Sequence, residues 1–302
     1  MSVIIPNYNG ALFIDHLCHS LASQTLASDL FEIVFVDNGS TDKSMDILNR
    51  YAELLSNVRI IRYTKQQSSY AARNHGVENC KGEVLVFTDI DCRPHADWLD
   101  NIYDKAKGQA GDFLLTGKVE LFPAGDDFNF YEWYDLLFSL DQENYAKSKT
   151  GATANLAVSR SAYKRVKGFQ ALISGGDLDF CRRVIAAGDT DFHYYPEIKV
   201  LHPARDTPEE IRKKFARVSE GKAVLFFHAL SPTQRFFFIL KQAIGLFLQP
   251  HQVKKIMKTF KQKGWKNLWV WQFAFITMQL GFFIRLKLIH KFVNLCRNER
   301  AS

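Results

Sequence analysis

The 302-residue sequence predicts an α/β fold, with a mostly parallel sheet, helices on both of its faces, and a basic helical tail. Three observations support this fold class. Short apolar runs alternate with segments of helical periodicity, one of those runs ends in a pair of carboxylates, and the two parts of the chain carry opposite net charge. The composition, 47% hydrophobic and 24% charged, is that of a globular protein.

The first third of the chain has the rhythm of strand–helix units. Four apolar runs are predicted to be strands: Ser2–Pro6, Phe31–Val36, Val58–Tyr63 and Val84–Phe87, the last of which is expected to be buried on both faces. Helical spacing of apolar residues predicts a crossover helix over residues 11–23, and further helices are expected over residues 43–55 and 70 to about 81. Because such crossovers join parallel strands, helices should cover both faces of the sheet. There is no glycine-rich loop of the dinucleotide or P-loop type to hold phosphates.

The sequence up to Pro203 is predicted to complete this domain. Helices are expected over residues 94–106, 127–140 and 160–166, and another follows Gly175–Phe180 and ends near Gly188. Strands are expected over residues 112–122, 150–158, 192–195 and 198–202. We therefore predict a domain over residues 1–203 and a separate tail over residues 204–302.

Two carboxylates, Asp89 and Asp91, follow the apolar run Val84–Phe87 directly. Ligands of open α/β sheets bind at the carboxyl ends of the strands, where these acids should lie. Hard oxygen ligands that leave room for substrate phosphates suit Mg²⁺ or Mn²⁺. The pattern therefore predicts a divalent-metal site at a nucleotide crevice, although an acid at a strand end is also a common helix cap or turn former.

Charge is unevenly distributed along the chain. Residues 204–302 carry 19 Lys/Arg and 5 Asp/Glu, and the remainder carries 20 Lys/Arg and 27 Asp/Glu, so that the total of +7 hides a basic tail behind an acidic domain. No acidic residue lies between Gly221 and Asn298. We expect the partner of the tail to be an anionic surface. The five cysteines are widely spaced, which favours reduced thiols and a cytoplasmic location, and the strand-like N-terminus predicts no signal peptide.

The tail is predicted to be helical and to associate with a membrane surface. A helix starts at Thr207, with Pro208 in its first turn and a glutamate three residues after the cap. Two apolar segments, Phe236–Leu248 and Leu268–Ile284, flank the basic amphipathic stretch Lys254–Lys261. The second segment is at the short edge of a spanning helix, and Trp265, Trp269 and Trp271 crowd one end of it.

We expect a peripheral or shallowly inserted position at the cytoplasmic membrane face. The alternative is a buried core helix of a small C-terminal subdomain, which does not explain the missing acids. Nucleic acid is not expected as a partner, because the aromatic residues cluster in apolar runs rather than between the basic residues.

Five motifs in order resemble those of the family 2 glycosyltransferases, over about Met1–Arg217. They are the opening strand Ser2–Asn9, the nucleoside motif Val36–Asp42, the helix motif Ala71–Gly76, the D-x-D motif Thr88–Asp91, and the catalytic segment Asp177–Asp179 with Arg183 one turn on. The resemblance implies the GT-A fold, which is Rossmann-like, and transfer from a nucleoside-diphosphate sugar, with UDP favoured. It also implies inversion at the sugar carbon, because one base and one metal suffice for a single displacement.

The resemblance implies a role for each site residue. Asp177 would be the general base, and Asp91 would hold the metal with Asp89 and His202. Asp89 would contact the ribose or a metal-bound water, and Asp37 the base of the nucleotide. Pro6, Tyr8 and Arg73 would line the nucleotide pocket. The segment from Thr153 to Phe169 would form the acceptor side.

Simpler roles remain open for these residues. Asp37 and Asp42 would then only shape a turn, His202 would be a satisfied strand-end histidine, and Arg73 a surface charge. Asp177 would be a helix cap. The sequence also departs from the family at Gly176, where a glutamate is usual, so Asp179 is a second candidate for the base. The aromatic stretch Phe128–Tyr134 would stack on a sugar or cover the site, or would simply pack.

The predicted activity is transfer of one or a few sugars to a lipid-linked or surface-polysaccharide acceptor. The Q-x-x-R-W motif of processive synthases is missing, since Gln234-Arg235 is followed by Phe236. One alternative is a non-catalytic nucleotide-sugar or membrane-binding module, with Gly176 marking a decayed site. A sugar nucleotidyltransferase shares the α/β pattern, but Asn7–Gly10 does not supply the glycine-rich basic loop that it would need.

Overall fold

The computed structural model describes residues 1–245, 256, 259 and 267–301. Eight strands form one sheet: β1 Ser2–Asn7, β2 Glu32–Asp37, β3 Val58–Arg62, β4 Val84–Phe87, β5 Arg93–Pro94, β6 Asp112–Phe122, β7 Leu156–Ser159 and β8 Thr190–Pro203. Their order across the sheet is β3-β2-β1-β4-β7-β6-β8-β5. The first four strands pair in parallel, as does β6 with β8, whereas β7 and β5 run antiparallel to their neighbours. The predicted mixed, mostly parallel sheet is confirmed.

Helices cover both faces of this sheet, as predicted. They are α1 Ile14–Ala22, α2 Ser44–Leu54, α3 Ser69–Glu78, α4 Trp98–Lys107, α6 Gln142–Ala146, α7 Arg160–Arg165 and α8 Gly176–Ala186, whereas α5, Phe130–Phe138, belongs to the second of the two units described below. Alternate strand residues separate two hydrophobic cores: Val3 and Ile5 pack with Leu17 of α1 and Trp98 of α4, and Ile4 packs on the opposite face with α3, α7 and α8. The period of two along each strand is the physical reason.

The structure differs from the sequence prediction at four places. The predicted strands 192–195 and 198–202 form the single strand β8, which has a register shift opposite Gly117/Lys118 of β6. The predicted strand 150–158 is confined to β7, preceded by a 3₁₀ turn, Thr153–Asn155. The helix expected from residue 94 begins at Trp98, because residues 93–94 pair with β8 instead. The short helix α6 has too few residues to show a periodic pattern.

Contacts divide the chain into two compact units. One comprises residues 1–122, 140–172 and 176–203, and the other residues 123–139, 173–175 and 204–302. The second unit therefore takes α5 from the middle of the chain. The predicted boundary at residue 203, between a domain and a separate tail, remains a prediction. All five cysteines are free.

The second unit contains the helices α9 Pro208–Ala229, α10 Pro232–Gly245 and α11 Asn267–Ala301. Thr207 Oγ1 accepts a hydrogen bond from Glu210 N–H, as expected of the predicted helix start. The aromatic stretch 128–134 packs: Trp133 and Tyr134 are buried with Ile211 of α9. Within the described residues, no helix combines the length and hydropathy required to cross a membrane. Trp265 and the stretch Lys254–Lys261, apart from Ile256 and Thr259, lie outside the described residues.

Candidate active site

The acid pair lies on the loop between β4 and β5. Thr88, at the start of this loop, is fully buried and donates its hydroxyl hydrogen to the Ala154 carbonyl, 2.9 Å away. The loop then leads into β5, whose Arg93 lies opposite Leu201 in antiparallel register. Continued by one residue, this register brings His202 beside the loop. Potential ligand atoms of Asp89, Asp91 and His202 all lie within 4.8 Å of one another.

The hydrogen bonds of His202 favour a cation beside it. Its Nδ1 lies 2.7 Å from the Pro203 carbonyl oxygen. Because a carbonyl oxygen only accepts, Nδ1 carries the proton, and in the neutral ring Nε2 presents a lone pair. That Nε2 lies 3.4 Å from Asp91 Oδ2, so that in the neutral ring two acceptor atoms face each other. This distance is within the reach of two ligands that each lie about 2.1 Å from one ion.

The donor set fits a divalent metal. Two carboxylates and an imidazole are ligands for Mn²⁺ and Mg²⁺ sites that leave further positions for substrate oxygens. The side chains of Asp89 and Asp91 remain 32% and 24% exposed, whereas His202 is only 5% exposed. The carboxylates are thus accessible to an ion while the imidazole is fixed from behind by the Pro203 carbonyl.

Arg73 connects the acid pair with helix α3. Ser68 caps this helix by accepting from Ala71 N–H. The Arg73 side chain is only 3% exposed, which excludes the surface-charge alternative, and its guanidinium forms an ion pair with Asp89. The Nε atom of Arg73 is buried and has no hydrogen-bond partner among the described residues. Its guanidinium carbon lies 5.7 Å from the centroid of the Tyr70 ring.

Asp177 is the second residue of α8 and is half-buried. Its Oδ1 accepts hydrogen bonds from Tyr70 Oη at 3.2 Å and from Leu178 N–H at 3.0 Å. Burial raises the pKa of this carboxyl above its usual value, against the opposing effects of Leu178 N–H and the Arg73 charge. Asp179, the other candidate base, instead pairs with Arg183 at 2.7 Å. The role of Asp177 as the general base stays a prediction.

The turn after β2 is built around Asp37, whose side chain is fully buried. Its carboxylate accepts from Asn7 Nδ2 at 3.1 Å and from the backbone N–H groups of Gly39 and Ser40. Gly39 has a φ of +86°, in the left-handed region that glycine adopts easily. The turn-shaping role of Asp37 is therefore present, and its contact with a nucleotide base stays a prediction.

The loop after β1 approaches the acid pair. A Cβ on Gly10 would lie 2.8 Å from Cγ1 of Ile90, the residue between the two acids, so only glycine allows this approach. Pro6 is half-buried in β1, and Tyr8 is 50% exposed just beyond the end of the strand. Their contact with a nucleotide remains a prediction.

Two further residues, Tyr70 and Asn74, organise the site, and the sequence predicts no such role for either of them. Tyr70 adjoins the helix motif, but nothing in the sequence connects it with Asp177. Asn74 lies inside that motif and binds the backbone N–H and carbonyl of Phe169 at 2.9 and 2.8 Å, while Tyr163 Oη donates to it. The place of Asn74 in the motif was a signal in the sequence, but only the structure shows that its hydrogen bonds connect α3 to the segment 163–169.

The sheet topology together with the Asp89, Asp91 and His202 cluster is typical of an α/β transferase of the GT-A fold. The sequence model described as Glycosyl transferase family 2 matches residues 2–166. Glycosyltransferase AglE of Haloferax volcanii is 32% identical over 275 residues, which are 89% of this chain and 89% of that protein. The chain belongs to glycosyltransferase family 2.

Further similarities cover either a part of the sequence or the fold alone. A poly(ribitol-phosphate) beta-glucosyltransferase of Bacillus spizizenii is 36% identical over 40% of this chain and 19% of its own. The mannosyltransferase PcManGT of Pyrobaculum calidifontis, solved with GDP-Man and Mn²⁺, superimposes with a TM-score of 0.61 at 19% identity over 97% of this chain and 85% of that chain. TarS 1–349 of S. aureus, solved with UDP-GlcNAc, superimposes with a TM-score of 0.55 at 18% identity over 99% of this chain and 91% of that chain. These structures establish the GT-A fold.

Proposed function

We propose that this protein is a metal-dependent, inverting glycosyltransferase. It moves a sugar from a nucleoside-diphosphate sugar, with UDP favoured, to a hydroxyl of a lipid-linked or surface-polysaccharide acceptor. The observation that carries the proposal is the cluster of Asp89, Asp91 and His202 at the carboxyl end of β4. The nucleotide sugars and Mn²⁺ bound to the two structural neighbours support the donor class and the cofactor, Mn²⁺ or Mg²⁺.

Asp177 acts as the base in this proposal. The acceptor hydroxyl loses its proton to the Asp177 carboxylate while its oxygen bonds to the anomeric carbon, and the bond from that carbon to the diphosphate breaks. A metal held by Asp91, Asp89 and His202 would neutralise charge on the leaving diphosphate. Arg73, buried beside Asp89, adds a fixed positive charge there. Pro6, Tyr8 and Asp37 are assigned to the nucleoside end.

A binding and turnover panel tests the function. UDP, GDP, UDP-sugars and GDP-mannose are each added with Mn²⁺, Mg²⁺ or EDTA, and the melting temperature and release of nucleotide are measured. We expect one nucleotide to raise the melting temperature in a metal-dependent way, since a ligand specific for the folded state stabilises it. The corresponding nucleotide sugar should be turned over with an acceptor extract. Binding without turnover on any acceptor would favour the non-catalytic alternative.

We also propose that the second unit lies on an anionic membrane surface, at the cytoplasmic face. Large apolar side chains are exposed on two of its helices: Phe236 and Phe237 of α10 are 64% and 61% exposed. On α11, Met278, Phe282 and Leu286 repeat every four residues and are 40–43% exposed, so that they form one stripe. A basic region with exposed aromatic residues suits acidic lipid headgroups.

Liposome flotation tests the membrane proposal. Replacement of Phe236 and Phe237 by serine should release the protein from vesicles of acidic phospholipid and leave nucleotide binding unchanged. Leu54→Ser is the matched control, because Leu54 is 75% exposed but lies in the first unit. Equal binding of all three proteins would contradict the proposed surface.

A further inference from the structure

At the start of α8, the Tyr70 ring fills the space that a side chain at position 176 would need. A Cβ placed on Gly176 would lie 2.8 Å from Cε2 of Tyr70 and 3.0 Å from Cδ2 and Cζ of the same ring. The backbone of Gly176 is not in the left-handed region. The residue is therefore glycine because the tyrosine ring lies against it, not because the backbone needs glycine. The family motif has a glutamate at this position, which this ring would exclude.

The Tyr70 ring is held firmly. It is only 6% exposed, and its centroid lies 5.8 Å from that of Phe169. The Arg73 guanidinium carbon lies 5.7 Å from the ring centroid. Tyr70 belongs to α3, the helix that also carries Arg73 and that Asn74 ties to the backbone of Phe169. A hydroxyl on such a fixed ring has a well-defined position.

That hydroxyl acts on one oxygen of Asp177. Tyr70 Oη and Leu178 N–H both donate to Oδ1, at 3.2 and 3.0 Å. Among the described residues, hydrogen bonds from other residues to this carboxylate all go to Oδ1. Two donors on one oxygen fix the plane of the carboxylate and leave the lone pairs of Oδ2 available.

We propose that Tyr70 is the positioning residue of Asp177: its hydroxyl and Leu178 N–H hold Oδ1, Oδ2 takes the acceptor proton, and glycine at 176 leaves the room that the ring requires. The inference rests on the proposed function, in which Asp177 is the general base. On this proposal Gly176 is not a mark of decay, because a residue from another helix orients the base. Tyr70 itself exchanges no proton with the substrate.

The first test is Tyr70→Phe, which keeps the ring and removes the hydroxyl. We expect kcat to fall about tenfold, the effect of losing one hydrogen bond to a charged group. The KM for the nucleotide sugar and its binding affinity should not change, because the donor site is intact. An unchanged kcat would overturn the proposal, as would a loss that appears only in KM. Asp177→Asn is measured in parallel: if it keeps full activity the base assignment fails, whereas if it is inactive and Tyr70→Phe is normal, only the role of Tyr70 fails.

The second test is Gly176→Ala in two backgrounds, which does not depend on the hydroxyl. With Tyr70 present, we expect the melting temperature to fall by about 2–6 °C, because the new methyl group overpacks the ring. In the Tyr70→Ala background the same change should be neutral or stabilising, since alanine is the better helix former. Gly111→Ala is the control, as a Cβ there has no atom within 4 Å. An equal fall in melting temperature in both backgrounds would overturn the inference that the Tyr70 ring requires glycine at position 176.

Discussion

Replacement of Asp91 by alanine should abolish most of the activity. Asp91 is one of the two carboxylates in the cluster, and the charge of the other, Asp89, is already balanced by the buried Arg73. The wild-type group of Asp89, Asp91 and Arg73 therefore carries a net charge of about −1. In the variant that net charge is close to zero, so the site loses its electrostatic attraction for a divalent cation.

The size of the loss follows from the role of the ion. Stabilisation of a developing charge by a bound metal contributes several kcal/mol, taken here as about 4 kcal/mol. Since each 1.4 kcal/mol corresponds to a factor of ten in rate, kcat/KM should fall by about 10³-fold. The loss should be partly recovered at high Mn²⁺ concentration, because Asp89 and His202 remain.

The assay is initial-rate transfer across an Mn²⁺ titration, with Mn²⁺ binding measured separately by electron paramagnetic resonance. Asp97→Ala is the matched control, because Asp97 is an exposed acid nearby whose side chain makes no capping hydrogen bond. Full activity of Asp91→Ala in excess EDTA would refute the metal role. Normal Mn²⁺ binding with lost activity would move the role of Asp91 from the ion to the substrate.

Two further predictions concern Asp177 and Asp135. The pKa of Asp177 is raised, so the folded state binds the proton of this carboxyl more tightly than the unfolded state, and the stability of the protein decreases as pH rises from about 4 through that pKa. Asp177→Asn should therefore increase the free energy of unfolding at pH 7 while it abolishes transfer. The acid limb of the pH–rate profile should lie above about pH 4. Urea unfolding and initial rates check this, and a destabilised variant would contradict it. Asp135, fully buried, pairs with Lys214 at 2.7 Å and Arg205 at 3.2 Å. Asp135→Ala should cost about 3–5 kcal/mol in urea unfolding, because it leaves those charges buried, whereas exposed Asp127→Ala should cost almost nothing. Burial opposes ionisation of Asp135, but the two cations hold the pKa of its carboxyl below the usual value, so the stabilisation by Asp135 is present above about pH 4 and is lost below it. Equal stability of Asp135→Ala and Asp127→Ala would contradict this account.

The strands and crossover helices of the first unit were predictable because their signals are local. β1, β2 and β4 are short apolar runs, and α1 and α2 show helical spacing, so neighbouring residues suffice to identify them. The strand structure of residues 192–202 was harder to predict from the sequence. A pause in the apolar pattern predicted two strands, but the parallel partner β6 continues past it, and the chain accommodates the mismatch by a register shift.

The site was predictable only in part. Asp89 and Asp91 are two residues apart on one loop, so their meeting follows from the sequence, and motif resemblance added His202 and Asp177. Resemblance also marked Gly176 as a departure, which left the base in doubt. In the structure the Tyr70 ring, from another helix, lies against Gly176, and the Tyr70 hydroxyl donates to Asp177.

The sequence by itself determined the fold class, the acid pair and the order of the motifs, because each depends on residues close together in the chain. Only the tertiary structure decided which distant side chains meet. Tyr70 and Asp177 are 107 residues apart, and their hydrogen bond depends on α3 and α8 packing against the same face of the sheet. His202 reaches Asp91 because β5 pairs with the end of β8. Packing and strand register are cooperative properties of the whole domain, and no local pattern specifies them.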